Sequence, residues 1–248
     1  MMEEEKGISL QKYLARCGMG SRRSCENLIS EGKVKINGST VKEAGQKVLP
    51  GEEVRVDGKI VCEKPERYFI INKPKGYVSV NKDERGRKWV VDIVPEGRDM
   101  GLFPVGRLDL DTTGLMILTN DGNLANRISH PRYGVMKEYN ALVKGKWNHN
   151  DLKDRLENGV VLKNGEIVDN VEVVSSSREE ERTRVVLRIH EGRKHVVKRI
   201  FLAVGSRVYR LERTRIGELE LPRIDTGEYM EISKSDIMKM VFDQNQDA

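Results

Sequence analysis

Apolar residues enter this chain in short bursts. YFIIN (68–72), GYVSV (76–80), LMILT (115–119), YNALV (139–143), RVVLRIH (184–190) and YMEIS (229–233) are separated by turn-forming residues. Such runs predict strands, and no run reaches the roughly 18 apolar residues of a membrane span. Between them lie segments of helical periodicity: GNLANRI (122–128), HNDLKDRLENG (149–159) and KHVVKRIFLAVG (194–205). Strands broken by single helices, without regular strand–helix alternation, predict an α+β domain over residues 68–240, a mainly antiparallel mixed sheet flanked by helices.

Residues 8–62 are patterned differently. Ile8, Leu10, Leu14 and Cys17 fit a short amphipathic helix stopped by Gly18. Ser21 suits the N-cap of a second helix carrying Leu28 and Ile29, which Gly32 ends. KVKINGSTV and PGEEVRVDGKIV then alternate polar and apolar residues around Asn37-Gly38 and Asp57-Gly58, two hairpin signals. A small domain is therefore expected over 8–62, a polar linker over 63–67 and a frayed tail over 241–248.

The net charge of +5 is modest, but its distribution is not. Lys12 to Lys35 holds six basic residues against two acidic, and Arg188 to Arg215 nine against two, a pattern suited to a polyanion. The three cysteines, Cys17, Cys25 and Cys62, are odd in number and lack ligand spacing, and the four histidines do not cluster. They predict reduced thiols, a cytoplasmic protein and no metal site. The acidic start, MMEEEKG, does not resemble a signal peptide.

The segment GRLDLDTTGLMILTNDG, 106–122, sets carboxylates between leucines, where burial demands a partner or a task. Asp109 reads in three ways. It is a structural carboxylate in a Thr-Thr-Gly turn; or the first aspartate of a D-x-D-x-T phosphatase motif, which should close an apolar strand but here follows Gly106-Arg107; or a catalytic base or nucleophile.

The neighbours favour the third. GRLD followed by TTGLMILTNDG resembles the catalytic motif of the RsuA family of pseudouridine synthases, the group that includes RluB-type enzymes. NKPKG (72–76), KEYNALV (137–143), EGRKHVVKRIFLAVG (191–205) and RLERTRIGELEL (210–221) resemble further family motifs in the family's order. Residues 8–61 resemble an S4-like RNA-binding domain.

These resemblances imply isomerisation of uridine to pseudouridine in ribosomal RNA, free or in assembling subunits, with large-subunit RNA favoured. That reaction needs no cofactor; no membrane partner is expected, and with no apolar heptad or obvious unpaired patch in the sequence a monomer is expected. Asp109 would be the catalytic carboxylate, Lys198 its cation and Tyr139 the ring packed on the base, while Arg107 fills the gap left by a flipped nucleotide. Where the commonest family form has Gln or Glu and Arg, this chain has Val196 and Lys198, so charge is kept without a guanidinium fork. Asp111 would cap the turn. RNA contacts would come from Lys12, Arg16, Arg22, Arg23, Lys33, Lys35, Lys73, Arg193, Lys194 and Arg199. A catalytically idle RNA-binding assembly factor is the alternative, though a binder needs no Asp109, Tyr139 and Lys198 constellation.

Overall fold

The computed structural model describes residues 7–43, 45–80 and 86–242. Residues 1–6 of the acidic start and 243–248 of the expected tail lie outside the described residues. In the N-terminal domain, helices α1 (Leu10–Arg16) and α2 (Arg22–Ser30) pack on a four-stranded antiparallel sheet. Its strands are β1 (Val34–Ile36), β2 (Ser39–Val41), β3 (Val54–Val56) and β4 (Lys59–Ile60), in the order β2-β1-β3-β4. Ser21 Oγ accepts from Ser24 N at 3.2 Å, as an N-cap should. Both hairpin turns carry positive φ at their two central residues, Asn37 and Gly38 in one, Asp57 and Gly58 in the other. Leu10, Leu14, Cys25 and Ile29 close on Val34, Ile36, Val54 and Val56.

The larger domain is built on β5 (Tyr68–Lys73), β6 (Thr113–Thr119), β7 (Lys137–Lys144), β8 (Val171–Glu179), β9 (Arg182–Ile189), β10 (Val208–Ile216) and β11 (Tyr229–Glu231). Their order is β8-β9-β7-β10-β6-β5-β11, with Phe103–Pro104 pairing with β6 and Leu219–Glu220 with β10. Every pairing is antiparallel except β10 with β6, which share only two residue pairs, Glu212 with Thr113 and Arg213 with Gly114. Helices α3 (Gly122–Ser129), α4 (His149–Leu156), α5 (Val196–Ala203) and α6 (Lys234–Phe242) flank the sheet.

β5 and β6 alternate between two cores. Phe69, Ile71, Met116 and Leu118 join α4 and α5 on one face; Tyr68, Ile70, Leu115 and Ile117 join α3 and α6 on the other. Central strands covered on both sides read as continuous apolar runs, which is why YFIIN and LMILT were legible.

Three details differ from the sequence expectations. GYVSV is not a strand: its backbone bonds run to Lys88, Val90 and Leu110, leaving one bridge between Val78 and Trp89. The segment 63–67 is tied down, with Lys64 N donating to Arg16 O at 3.0 Å and Arg67 Nε to Glu231 Oε1 at 2.7 Å. Helix α6 extends two residues into the expected tail, and Val241 is buried. Among the described residues no helix is long and apolar enough to cross a membrane.

Candidate active site

Asp109 sits on a loop, not on the strand the alternating leucines suggest: Leu108 is buried, Leu110 is exposed, and β6 begins only at Thr113. What fixes the loop is Lys73, at the end of β5. Its side chain is wholly buried, and its Nζ donates to Pro74 O at 3.0 Å, Asp109 O at 3.0 Å and Thr112 O at 2.8 Å. Gly76 N donates to Leu110 O at 2.8 Å and Ser79 Oγ to Leu108 O at 3.1 Å, so residues 73–79 satisfy the loop's carbonyls almost in sequence. This corrects the expectation that Lys73 contacts RNA: an ammonium with three acceptors and no exposure has nothing left for a phosphate.

The Asp109 carboxylate points at the first turn of α5. Lys198 Nζ lies 3.1 Å from its Oδ2 and 2.5 Å from Asp111 Oδ1, bridging both carboxylates. Burial alone would lower the Lys198 pKa, but its hydrogen bonds to Asp111 and Asp109 outweigh it and hold the ammonium above the ordinary lysine value. Asp111 responds inversely: burial would raise it, and Lys198 pulls it below the usual carboxylate value. The turn that Asp111 was expected to cap is closed instead by Thr112 N donating to Asp109 O at 3.1 Å. His195 Nε2 stands 3.4 Å from Asp109 Oδ1, on a backbone with φ of 56°. A left-handed non-glycine residue costs about 1–3 kcal/mol, and such strain collects at functional sites.

Opposite Asp109, β7 and β10 supply the wall. Lys137 and Tyr139 alternate onto one face of β7, and Tyr139 stands in register with Arg213. Tyr139 and Arg213 are 6% and 3% exposed. Arg213 Nε donates to Leu115 O at 2.8 Å where the short parallel seam gives out, while its Nη2 has no partner. Arg107, Asp109, Lys137, Tyr139, Arg193, His195 and Arg213 all line one pocket; Arg107 is exposed at it. With several cations around one carboxylate, it suits an anionic, flat-ringed ligand.

Burial pushes Lys73 down to about 8, and burial with neighbouring Arg213 does the same to Lys137. The unfolded chain therefore binds more protons between about pH 8 and the ordinary lysine value near 10.4. The penalty is full below about pH 8 and fades above it, so unfolding free energy from urea titrations is expected to climb from pH 8 to 9.5. Lys137→Met should lose part of that climb; an identical slope would contradict this burial.

The sequence-predicted residues divide. Asp109, Tyr139, Lys198 and Arg107 converge on the site, with Arg193 on its rim. Arg199 is engaged elsewhere, 2.7 Å from Glu166 Oε2. Lys12 reaches Asn123 on α3; Arg16 pairs with Glu63, and Lys33 with Glu31 at 2.6 Å. Arg22, Arg23, Lys35 and Lys194 are exposed. His195, Lys137 and Arg213 were missed, although the two-residue spacing of Lys137 and Tyr139 on a strand already places both on one face.

Residues 67–203 match the family model described as RNA pseudouridylate synthase, and residues 8–54 that of the S4 domain. The chain belongs to the RNA pseudouridylate synthase family. The synthase is 42% identical over 236 residues to an RNA pseudouridine synthase of Aquifex aeolicus (strain VF5), covering 94% of this chain and 93% of the relative. It is 38% identical over 232 residues to the ribosomal large subunit pseudouridine synthase B of Bacillus subtilis (strain 168), covering 93% and 94%. A crystal structure of a pseudouridylate synthase superposes with a TM-score of 0.66 at 30% identity, covering 94% of the synthase and 100% of that chain.

Proposed function

We propose that this synthase isomerises a uridine of ribosomal RNA, preferentially of the large subunit, with Asp109 as the catalytic carboxylate. The reaction breaks the bond from uracil N1 to ribose C1′, turns the base, and joins C5 to C1′; the C5 proton leaves and N1 ends protonated. No electron, phosphoryl group or external energy enters, so a resident cofactor is not called for. Asp109 acts either on C1′ as a nucleophile or on the 2′ proton as a base, and both roles need an ionised carboxylate. Lys198 pairs with that carboxylate at 3.1 Å, and the clamp from Lys73 keeps it from drifting. Tyr139 offers a ring to the base, and exposed Arg107 can enter the vacancy of a flipped nucleotide, offsetting part of a cost of a few kcal/mol.

The observation that carries this reading is the meeting of three distant segments at one site: Asp109 and Tyr139 line one pocket, and Lys198 Nζ stands 3.1 Å from the Asp109 carboxylate. The likeness to a large-subunit enzyme of Bacillus subtilis favours the ribosomal substrate. A monomer acting in the cytoplasm on free rRNA or assembling subunits fits the same reading. The test is tritium release from 5-tritiated uridine in unmodified large- and small-subunit rRNA. Release from large-subunit RNA alone is expected; release only from the small-subunit RNA would overturn the substrate assignment, and release from neither RNA, either free or in assembling subunits, would overturn the rRNA reading.

A further inference from the structure

A second concavity lies between the helix pair of the S4 domain and the catalytic domain, with a volume of about 900 Å³ against 190 Å³ for the catalytic pocket. Lys12, Arg16 and Arg22 enter it from α1 and α2, Arg98 from the segment before β6, and Arg127 and Arg132 from α3 and the turn beyond it; no Asp or Glu is among its described lining residues. Arg16 and Arg98 have carboxylate partners, Glu63 and Asp92. Lys12, Arg22, Arg127 and Arg132 have none among the described residues. Like charges gathered this way repel one another unless a polyanion lies among them.

Two further features make the groove a nucleic-acid surface rather than solvated charge. Arg98 lies 4.2 Å over the Trp89 ring and Arg132 4.5 Å over Tyr133, which pre-positions guanidinium groups and leaves aromatic surface where bases can stack. The groove also shares a helix with the active site. Helix α3 lines both, with Ile128 and Ser129 at the pocket and Asn123, Asn126 and Arg127 at the groove. A strand whose uridine is flipped beside Asp109 would run along α3 into it.

We propose that this groove between the two domains, and not the open sheet face of the S4 domain, holds the RNA flanking the target uridine. The proposal rests on RNA being the substrate. Lys12, which spans the groove to Asn123 at 3.2 Å, and Arg22, Arg127 and Arg132, which have no carboxylate partner among the described residues, take the phosphates; Trp89 and Tyr133 take unstacked bases. Lys35 is on the other side of the S4 sheet, because its neighbours Val34 and Ile36 turn inward.

Trp89 makes the test direct. The chain has two tryptophans, and Trp147→Phe leaves Trp89 as the only one. A short synthetic RNA stem-loop with a uridine-rich loop is titrated into the full-length variant, and binding is expected to change Trp89 emission in a way that added salt reverses. Lys12→Gln/Arg22→Gln/Arg132→Gln should weaken binding at least about tenfold and flatten the slope of log K against log salt by about 2–3, since each phosphate contact contributes about 0.7–0.9. Lys33→Gln/Lys35→Gln should leave the slope unchanged. Unchanged affinity in the groove triple, or a loss carried by the Lys33/Lys35 pair, would overturn the proposal. Melting temperatures are taken first; if the triple does not fold, Arg132→Gln alone is read in its place. Binding is measured without turnover, so a groove that binds RNA while tritium stays in place would count against the proposed reaction alone.

Discussion

Asp109→Asn is expected to lower tritium release from 5-tritiated uridine by at least about 10²–10⁴-fold, the range for removal of one acid–base group, and further if Asp109 is the nucleophile. The substitution is nearly isosteric, and Lys198 keeps Asp111 as a partner 2.5 Å away, so no buried cation is stranded. The loop is held through its backbone by Lys73, Gly76 and Ser79, none of which touches the carboxylate. The melting temperature should therefore stay close to that of the parent. RNA affinity should hold or rise slightly, because a negative charge beside the phosphates is removed. Loss of activity and binding together would assign Asp109 a structural role and sink the catalytic one.

Gly114→Ala is expected to cause the largest loss of stability. A Cβ built at Gly114 would stand 2.3 Å from Arg213 O and 2.8 Å from Arg213 N, and the residue's φ is +101°. Neither backbone atom can give way without opening the parallel seam, which has only two residue pairs. Conformational strain alone is worth about 1–3 kcal/mol, and the clash should carry the total beyond about 4 kcal/mol, the range reserved for disrupted backbone or core. For a chain of this length that is a fall of roughly 10 °C or more in melting temperature. Gly38→Ala isolates the strain: φ is +84°, but nothing lies within 4 Å of the new Cβ, so its loss should be much smaller. Equal losses in the two variants would mean the seam is looser than the structure has it. Protein that still folds as Gly114→Ala should turn over slowly, since the seam fixes both Arg213 and the end of the Asp109 loop.

Much of this was legible because it was local. Asn37-Gly38 and Asp57-Gly58 specify their hairpins through the backbone geometry of those residues, and β5 and β6 advertise themselves as unbroken apolar runs. The strand GYVSV misled because β-propensity records only that a residue suits a pleated, half-buried surface; here the backbone was needed to hold the Asp109 loop. Strand β8, with three serines and a bulge between Val173 and Ser175, and helix α6, with only Ile237 and Val241 buried, gave too weak a periodicity to be recognised.

The sequence by itself determined the two-domain organisation, the strand and helix content, and the order of segments in which Asp109, Tyr139 and Lys198 occur, because periodicity, turn chemistry and motif spacing are properties of neighbouring residues. Only the tertiary structure decided what each charge does. Lys73 and Lys198 are both lysines in motif-like surroundings, yet one is sealed under a loop with three carbonyls and the other bridges two carboxylates, one of which lines the catalytic pocket. Burial and the identity of the nearest partner set the role of an ionisable group, and both are fixed by residues tens of positions away in the chain.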